Sequence, residues 1–145
     1  MSMLRRIIAV LCCALLLAGC YKDEVAEADL TTNALDPDYD GPPILELIST
    51  TTELRYNGFV VIDTVVVFNM RVRTDLFPSL ISYQLEGVQT NDGTSDITDQ
   101  LVPSTTEASV EHRHVLYGNE YCMDISVVSL GSNSRSYRFC GTAVQ

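Results

Sequence analysis

From Ile44 onward apolar residues recur at every second position, not every third or fourth, and this period of two restricts the chain to β-strands. Val60, Ile62, Thr64, Val66, Phe68, Met70 and Val72 line one face of a long strand. Asp63, Asn69, Arg71 and Arg73 lie on the other, beside Val61, Val65 and Val67. That pattern is expected of a central strand whose polar end reaches solvent. Ile81, Tyr83 and Leu85 continue the alternation, with Ser82, Gln84 and Glu86 outward. Gln89 to Asp99 reads as a mostly polar loop around the turn signal Asn91-Asp92-Gly93. Ala108 to Leu116 reads as a further strand. The expectation is an all-β, antiparallel β-sandwich over residues 44–145, with a small β-barrel as the alternative.

The first twenty residues carry a different message. Arg5 and Arg6 precede an apolar run, Ile7 to Leu17, that ends in Leu17-Ala18-Gly19-Cys20. A short basic region, about a dozen apolar residues and small residues before the cut form a secretory signal, well short of the roughly 20 residues of a bilayer span. Cys directly after Ala-Gly resembles the lipobox of bacterial lipoproteins. The resemblance implies a signal peptide over 1–19, cleavage after Gly19 and a diacylglyceryl thioether on Cys20.

Loss of Arg5 and Arg6 leaves 7 basic residues against 19 acidic ones, a net charge near −12. So acidic a chain is repelled by the phosphates of nucleic acid and of anionic head groups, so no nucleic-acid partner is expected. Membrane attachment then rests on the lipid of Cys20.

Tyr21 to Pro43 carries seven carboxylates (Asp23, Glu24, Glu27, Asp29, Asp36, Asp38, Asp40) against Lys22, with three prolines near its end. Self-repulsion and low hydrophobicity predict a disordered acidic linker over 20–43. Its start, Lys22-Asp23-Glu24 behind Cys20, resembles the surface-export signal of Bacteroidota lipoproteins. The stretch from Thr32 to Pro43 is similar to the Asn/Asp/Pro-rich linkers of that group. The resemblance implies an outer-membrane lipoprotein on the cell surface, with a periplasm-facing orientation as the alternative. Asp36-Pro37-Asp38-Tyr39-Asp40-Gly41 also opens like a D-x-D-x-D-G calcium loop, but position twelve is Leu47, not Glu, and Pro42 and Pro43 fill the middle. No metal is assigned to it.

With Cys12 and Cys13 in the signal and Cys20 acylated, Cys122 and Cys140 remain, and export to an oxidising compartment makes a disulfide the expectation. The pair is centred on Gly131. That register sets Met123 against Phe139 and Ile125 against Tyr137 on one face, and Asp124 against Arg138 and Ser126 against Ser136 on the other. Leu130-Gly131-Ser132-Asn133 supplies the turn.

Val115 to Tyr121, followed by alternating Met123, Ile125 and Val127, then Gly131 and Ser134, resembles the end of a fibronectin type III domain, an immunoglobulin-like sandwich. The resemblance implies that Tyr121 is a tyrosine corner, its hydroxyl bonding back to upstream backbone. Tyr117 stands where the family has Pro, and the core Trp of strand B is missing, since the chain has no Trp.

Catalytic chemistry is not legible. His112 and His114 share a strand face, which could ligate a metal, but no thiolate or carboxylate lies at a matching spacing, so a solvated or edge-strand pair is expected. There is no G-x-S-x-G, no free Cys beside a His and no phosphate-binding Gly loop. The hydroxyls of Ser49 to Thr52 and Ser104 to Thr106 fit strand edges and loops. Tyr39, Tyr56, Tyr83, Tyr117 and Tyr137 are the candidate aromatic platforms, with Tyr83 and Tyr137 assigned to the core. Tyr56-Asn57-Gly58-Phe59 is a tight turn, and Tyr117 is expected near the opposite strand ends from some of these loops. The expected function is a lipid-anchored, non-catalytic protein-interaction or scaffold module with no cofactor. The alternative is a glycan- or nutrient-binding accessory of an outer-membrane uptake system.

Overall fold

The structure is a computed structural model that describes residues 32–77 and 82–145. Gly19, Cys20, Lys22, Asp23 and Glu24, the residues expected to serve in cleavage, lipidation and export, lie outside the described residues, as does Ile81.

Two long strands, β1 (Leu45–Asn57) and β2 (Val60–Val72), form a hairpin in which Leu45 pairs with Val72 and Asn57 with Val60. The two-residue loop between them has a positive φ at Gly58 and not at Phe59, as a type II′ turn requires. The rest of the chain supplies β3 (Gln84–Gln89), β4 (Ser95–Ile97), β5 (Glu107–His112), β6 (Glu120–Ser129), β7 (Ser132–Asn133) and β8 (Tyr137–Thr142). A single 3-10 turn, Thr74–Leu76, follows β2. One sheet runs β1-β2-β5 and the other β4-β3-β6, with β7 and β8 both on the far side of β6. All pairings are antiparallel. The fold is an all-β sandwich.

Its core lies between the sheets. Val66, Phe68, Met70 and Val72 of β2 and Val110 of β5 pack toward Leu85 of β3 and Met123, Ile125 and Val127 of β6, all buried. Each such side chain contributes about 1.5–3 kcal/mol of apolar burial. Tyr83 is fully buried as well; its hydroxyl donates to the Thr105 carbonyl, which ties the chain before β3 to the loop before β5.

Several expectations are corrected. The even-numbered face of β2 enters the core only from Val66; Val60 and Ile62 stay exposed, because β5 pairs with β2 no further than Val66. The expected loop 89–99 contains β4, set by the turn at Asn91-Asp92-Gly93. There Thr94 N–H donates to Asp92 Oδ1 and Gly93 has a positive φ. The strand expected to reach Leu116 stops at His112, and His114 takes a positive φ of 58°.

Within the described part of the expected linker 20–43, residues from Asn33 onward are folded. Ala34 and Tyr39 belong to the buried core, and Leu35 packs against it. Local side-chain bonds fold this stretch: Leu35 N–H donates to Asn33 Oδ1, and Asp38 N–H to Asp36 Oδ1. A Cβ on Gly41 would lie 2.2 Å from the Tyr39 hydroxyl, so the glycine makes room for the ring. The folded unit therefore includes residues from Asn33 onward.

The C-terminal hairpin shows where register inference ends. Cys122 faces Cys140 (Sγ–Sγ 1.99 Å), Met123 faces Phe139, Asp124 faces Arg138 and Ile125 faces Tyr137. Asp124 and Arg138 form a bidentate ion pair at 2.8 Å. The ladder with β8 ends at Ile125–Tyr137, however, so the expected pairing of Ser126 with Ser136 is not formed. Leu130 and Gly131 both have positive φ, forming a two-residue type I′ turn that pairs Ser129 with Ser132. That turn is centred between Leu130 and Gly131, whereas the cysteine pair is centred on Gly131, so one residue between β7 and β8 must leave the ladder. Ser134 still follows the register of the turn, its N–H donating to the Val127 carbonyl and its hydroxyl accepting from Val127 N–H, so the extra residue lies at Arg135–Ser136.

Candidate functional site: an apolar hairpin tip

The chain from Leu54 to Ile62 contains Tyr56, Phe59, Val60, Val61 and Ile62, and nothing in the sandwich covers them. Phe59 is wholly exposed (104%), and Val60, Ile62 and Tyr56 are each about 60% exposed. Val61 and Leu54 are less so, but still open. Topology is the cause. The 113–119 loop reaches β2 as far as Thr64, whose carbonyl accepts from Val115 N–H at 3.0 Å. Beyond that point β1 and β2 pair only with each other. Residues Val60 to Ile62, beyond Asp63 and its bond to His114 N–H, thus extend the hairpin about 10 Å past the sheet.

Charges brace the base of this arm. Arg55 pairs with Glu53 at 2.7 Å and with Glu111 of β5. These carboxylates hold its guanidinium firmly protonated, and Arg55 lowers Glu53 below the usual carboxylate range. Asp96 accepts from Glu111 N–H at 2.8 Å and lies 3.7 Å from Arg113. Asp63 Oδ1 accepts from the backbone N–H groups of Thr64 and His114 and meets His114 Nδ1 at 3.1 Å. Between Arg55 and Asp63 the sequence has no charged residue.

Strand directions decide where the arm points. β5 ends and β6 begins at the end of the sandwich that carries the tip, so the 113–119 loop, with exposed Leu116 and Tyr117, lies there too. Tyr117 is therefore at the same end as Tyr56, which corrects the expected separation. The chain enters at the other end, where Leu45 pairs with Val72. The 13 residues of β1, roughly 40 Å of strand, separate that entry from the tip.

The two histidines do not act together. His112 is buried, its ring 4.7 Å from that of Tyr121, with Nδ1 3.0 Å from the Arg113 carbonyl. Its Nε2 is buried with no protein partner, and burial pushes its pKa below the ordinary value. His114 is exposed on Asp63. A shared face is thus corrected: the strand ends between them and the chain turns. Tyr121 Oη accepts from Leu116 N–H at 2.7 Å, closing the 113–119 loop against the start of β6.

Asp36 and Asp38 shape a turn, as described above. Among the described residues, the group of His, Cys, Asp or Glu close enough to share an ion is Glu120 with Cys122 and Cys140, and its two sulfurs are bonded to each other. A hollow of about 390 Å³ at the base of the arm is lined by Arg55, Tyr56, Ile62, Asp63, Glu111 and Arg113, and so offers one aromatic. Another, of about 360 Å³, lies over Ile48, Asn69 and Glu107 and offers none.

Sequence reasoning treated Tyr56 to Phe59 as an ordinary turn. The missed signal is that Val60, Val61 and Ile62 are apolar on both faces beside that turn, with no neighbouring strand long enough to cover them. The architecture defines a two-sheet antiparallel sandwich bearing a protruding apolar hairpin. Compared with known proteins, the chain matches no family model, no curated protein and no solved structure.

Proposed function

We propose that this chain is a lipid-anchored, non-catalytic interaction module of the outer membrane, exposed on the cell surface, whose sandwich is of the immunoglobulin-like, fibronectin type III kind. The apolar hairpin tip carries the docking part of this reading. Monomers rarely leave contiguous apolar patches larger than a few hundred Å² in water. This patch lies at the end of the domain farthest from the chain entry, so an anchor on Cys20 would present it outward instead of laying it on the anchoring membrane. The lipobox-like Leu17-Ala18-Gly19-Cys20 and the acidic run after it support the anchor. The strand order and the Tyr121–Leu116 bond support the fibronectin-type assignment.

Neither of the two hollows gathers the several aromatics that a glycan-binding reading calls for, so the interaction reading is preferred. Protease shaving of intact cells tests the surface reading, using an epitope tag after Gln145 and Lys22-Asp23-Glu24 changed to three alanines as control. Loss of the wild-type tag with retention of the control's is expected. Retention of both until the outer membrane is opened would mean a periplasm-facing protein.

A further inference from the structure

We propose that the β1–β2 tip is a self-association surface: two copies of this chain pair through residues 54–62 about a two-fold axis. The inference deepens the docking reading by naming the occupant, and it rests on three features of the tip.

The first is area. Leu54, Tyr56, Phe59, Val60, Val61 and Ile62, at their observed exposures, leave open on the order of 600 Å² of side-chain surface. Tyr56 and Val61 point to one face of the ribbon and Val60 and Ile62 to the other, so a two-fold contact covers one of these sets together with Phe59. Two copies would bury on the order of 800 Å², the size of a weak, reversible association.

The second is charge. Copies of so acidic a chain repel each other over most of their surfaces. From Tyr56 to Ile62 there is no ionisable carboxylate, lysine or arginine, and the flanking Arg55 is already neutralised by Glu53 and Glu111. Two copies therefore meet least repulsion at the tip, which is also the most apolar part of the surface.

The third is backbone. β2 outruns β5, and three consecutive β-branched residues, Val60, Val61 and Ile62, lie on the stretch beyond Thr64. A register shift between Arg55 and Tyr56 leaves Ile62 without a β1 partner, so the regular part of this free edge is Val60 and Val61, whose composition favours pairing with another strand. Antiparallel pairing of the segment with itself is self-complementary: centred on Val61, it sets Val60 of each copy against Ile62 of the other. A two-fold arrangement of this kind closes on itself and leaves no second copy of the patch to propagate.

The test uses the full chain in its own membranes. Val61→Cys is compared with Ser132→Cys, an exposed position at the opposite end of the sandwich, and with the unsubstituted chain for background. Membranes are oxidised with copper-phenanthroline and run on non-reducing gels. An adduct of twice the chain mass is expected for Val61→Cys, at least about ten-fold above Ser132→Cys. Its yield should rise several-fold between about 0.02 M and about 0.5 M salt, because screening relieves repulsion between acidic copies. Adding Phe59→Asp should abolish it; Phe59 touches nothing in the core, so the fold should survive.

Equal yields at the two positions, no dimer at either salt, or a Val61→Cys adduct of some other mass would overturn self-association. An adduct of another mass would leave the docking reading standing with a different occupant. Absence of any adduct, together with a periplasmic result in the shaving experiment, would remove the surface-docking reading as well.

Discussion

The molecule contains two long-stranded hairpins built on opposite plans. In the C-terminal hairpin the constraints on the β6–β8 ladder agree: Met123 and Ile125 enter the core, Asp124 pairs with Arg138, and Cys122 is bonded to Cys140. Its turn projects one exposed apolar residue, Leu130, next to serines and Asn133. The β1–β2 hairpin is anchored as firmly at its base, through Val66, Phe68 and Met70, yet six of the nine residues from Leu54 to Ile62 are apolar side chains that the sandwich leaves open. Apolar content is therefore not a measure of burial here. Neighbouring strand length decides it: β6 lies between β3 and β8, whereas β2 extends beyond the reach of β5. One hairpin holds the sandwich together, and the other carries surface that the fold does not use.

That contrast can be broken or sharpened by substitution. The largest effect is expected at the core of the stapled hairpin. Ile125→Ala should cost about 2–5 kcal/mol in urea unfolding, because a fully buried side chain leaves a cavity between the sheets. Val61→Ala at the free tip should change stability by less than about 0.5 kcal/mol. Comparable losses at the two sites would mean that the tip is packed.

Next in size is the disulfide. Cys122 and Cys140 are 18 residues apart, and replacing both with Ser should cost about 3 kcal/mol by the loop-entropy estimate. Thermal melts under non-reducing conditions would show it, and added reductant should then shift the wild type but not the double variant.

Removing the Tyr121 hydroxyl with Tyr121→Phe leaves Leu116 N–H without its acceptor. A loss of about 1 kcal/mol is expected, with faster amide exchange confined to the 113–119 loop. A uniform change in exchange across both sheets would show that the bond holds more than this loop.

The pH dependence is expected in direction. His112 has a lowered pKa in the folded state through burial, so the unfolded chain binds the extra proton more readily. Stability from this group is complete above the ordinary histidine value of 6.5 and falls as the solution is acidified through it. Asp92, facing the ring electrostatically, moderates the effect, and His114 adds to it. The carboxylates lowered by arginine partners or local hydrogen bonds, Glu53, Asp75, Asp92 and Asp124, act only at more acid pH, from the ordinary carboxylate range downward. Unfolding midpoints measured from pH 7.5 to about pH 5 should decline in the wild type and stay level in His112→Phe. An equal decline in both would assign the dependence elsewhere.

Much of the fold was legible because strand alternation and the cysteine pair are local or nearly local signals. The pairing of Met123 with Phe139 and Asp124 with Arg138 follows from complementary residues in a single register. The same reasoning missed the offset between Ser134 and Tyr137, because turn geometry and the disulfide each fix a register and the two differ by one residue. It also missed β4, only three residues long, whose place depends on pairing with Glu86 to Val88. The linker composition around Asp36 to Asp40 concealed Tyr39, whose burial depends on a surface formed by distant strands. The candidate site was least legible of all. Val60, Val61 and Ile62 read as core in any window, and their exposure follows from where β5, nearly fifty residues later, comes to an end.

The most direct test of the central claim is the denaturation midpoint of the purified protein against its concentration, for wild type and Phe59→Asp together. If the tip serves association and not folding, the wild-type midpoint should rise with concentration, because dimerisation stabilises only the folded state. The variant's midpoint should stay flat and coincide with the wild type at the dilute limit. A variant midpoint below the wild type at every concentration, or a wild-type midpoint indifferent to concentration, would contradict the account.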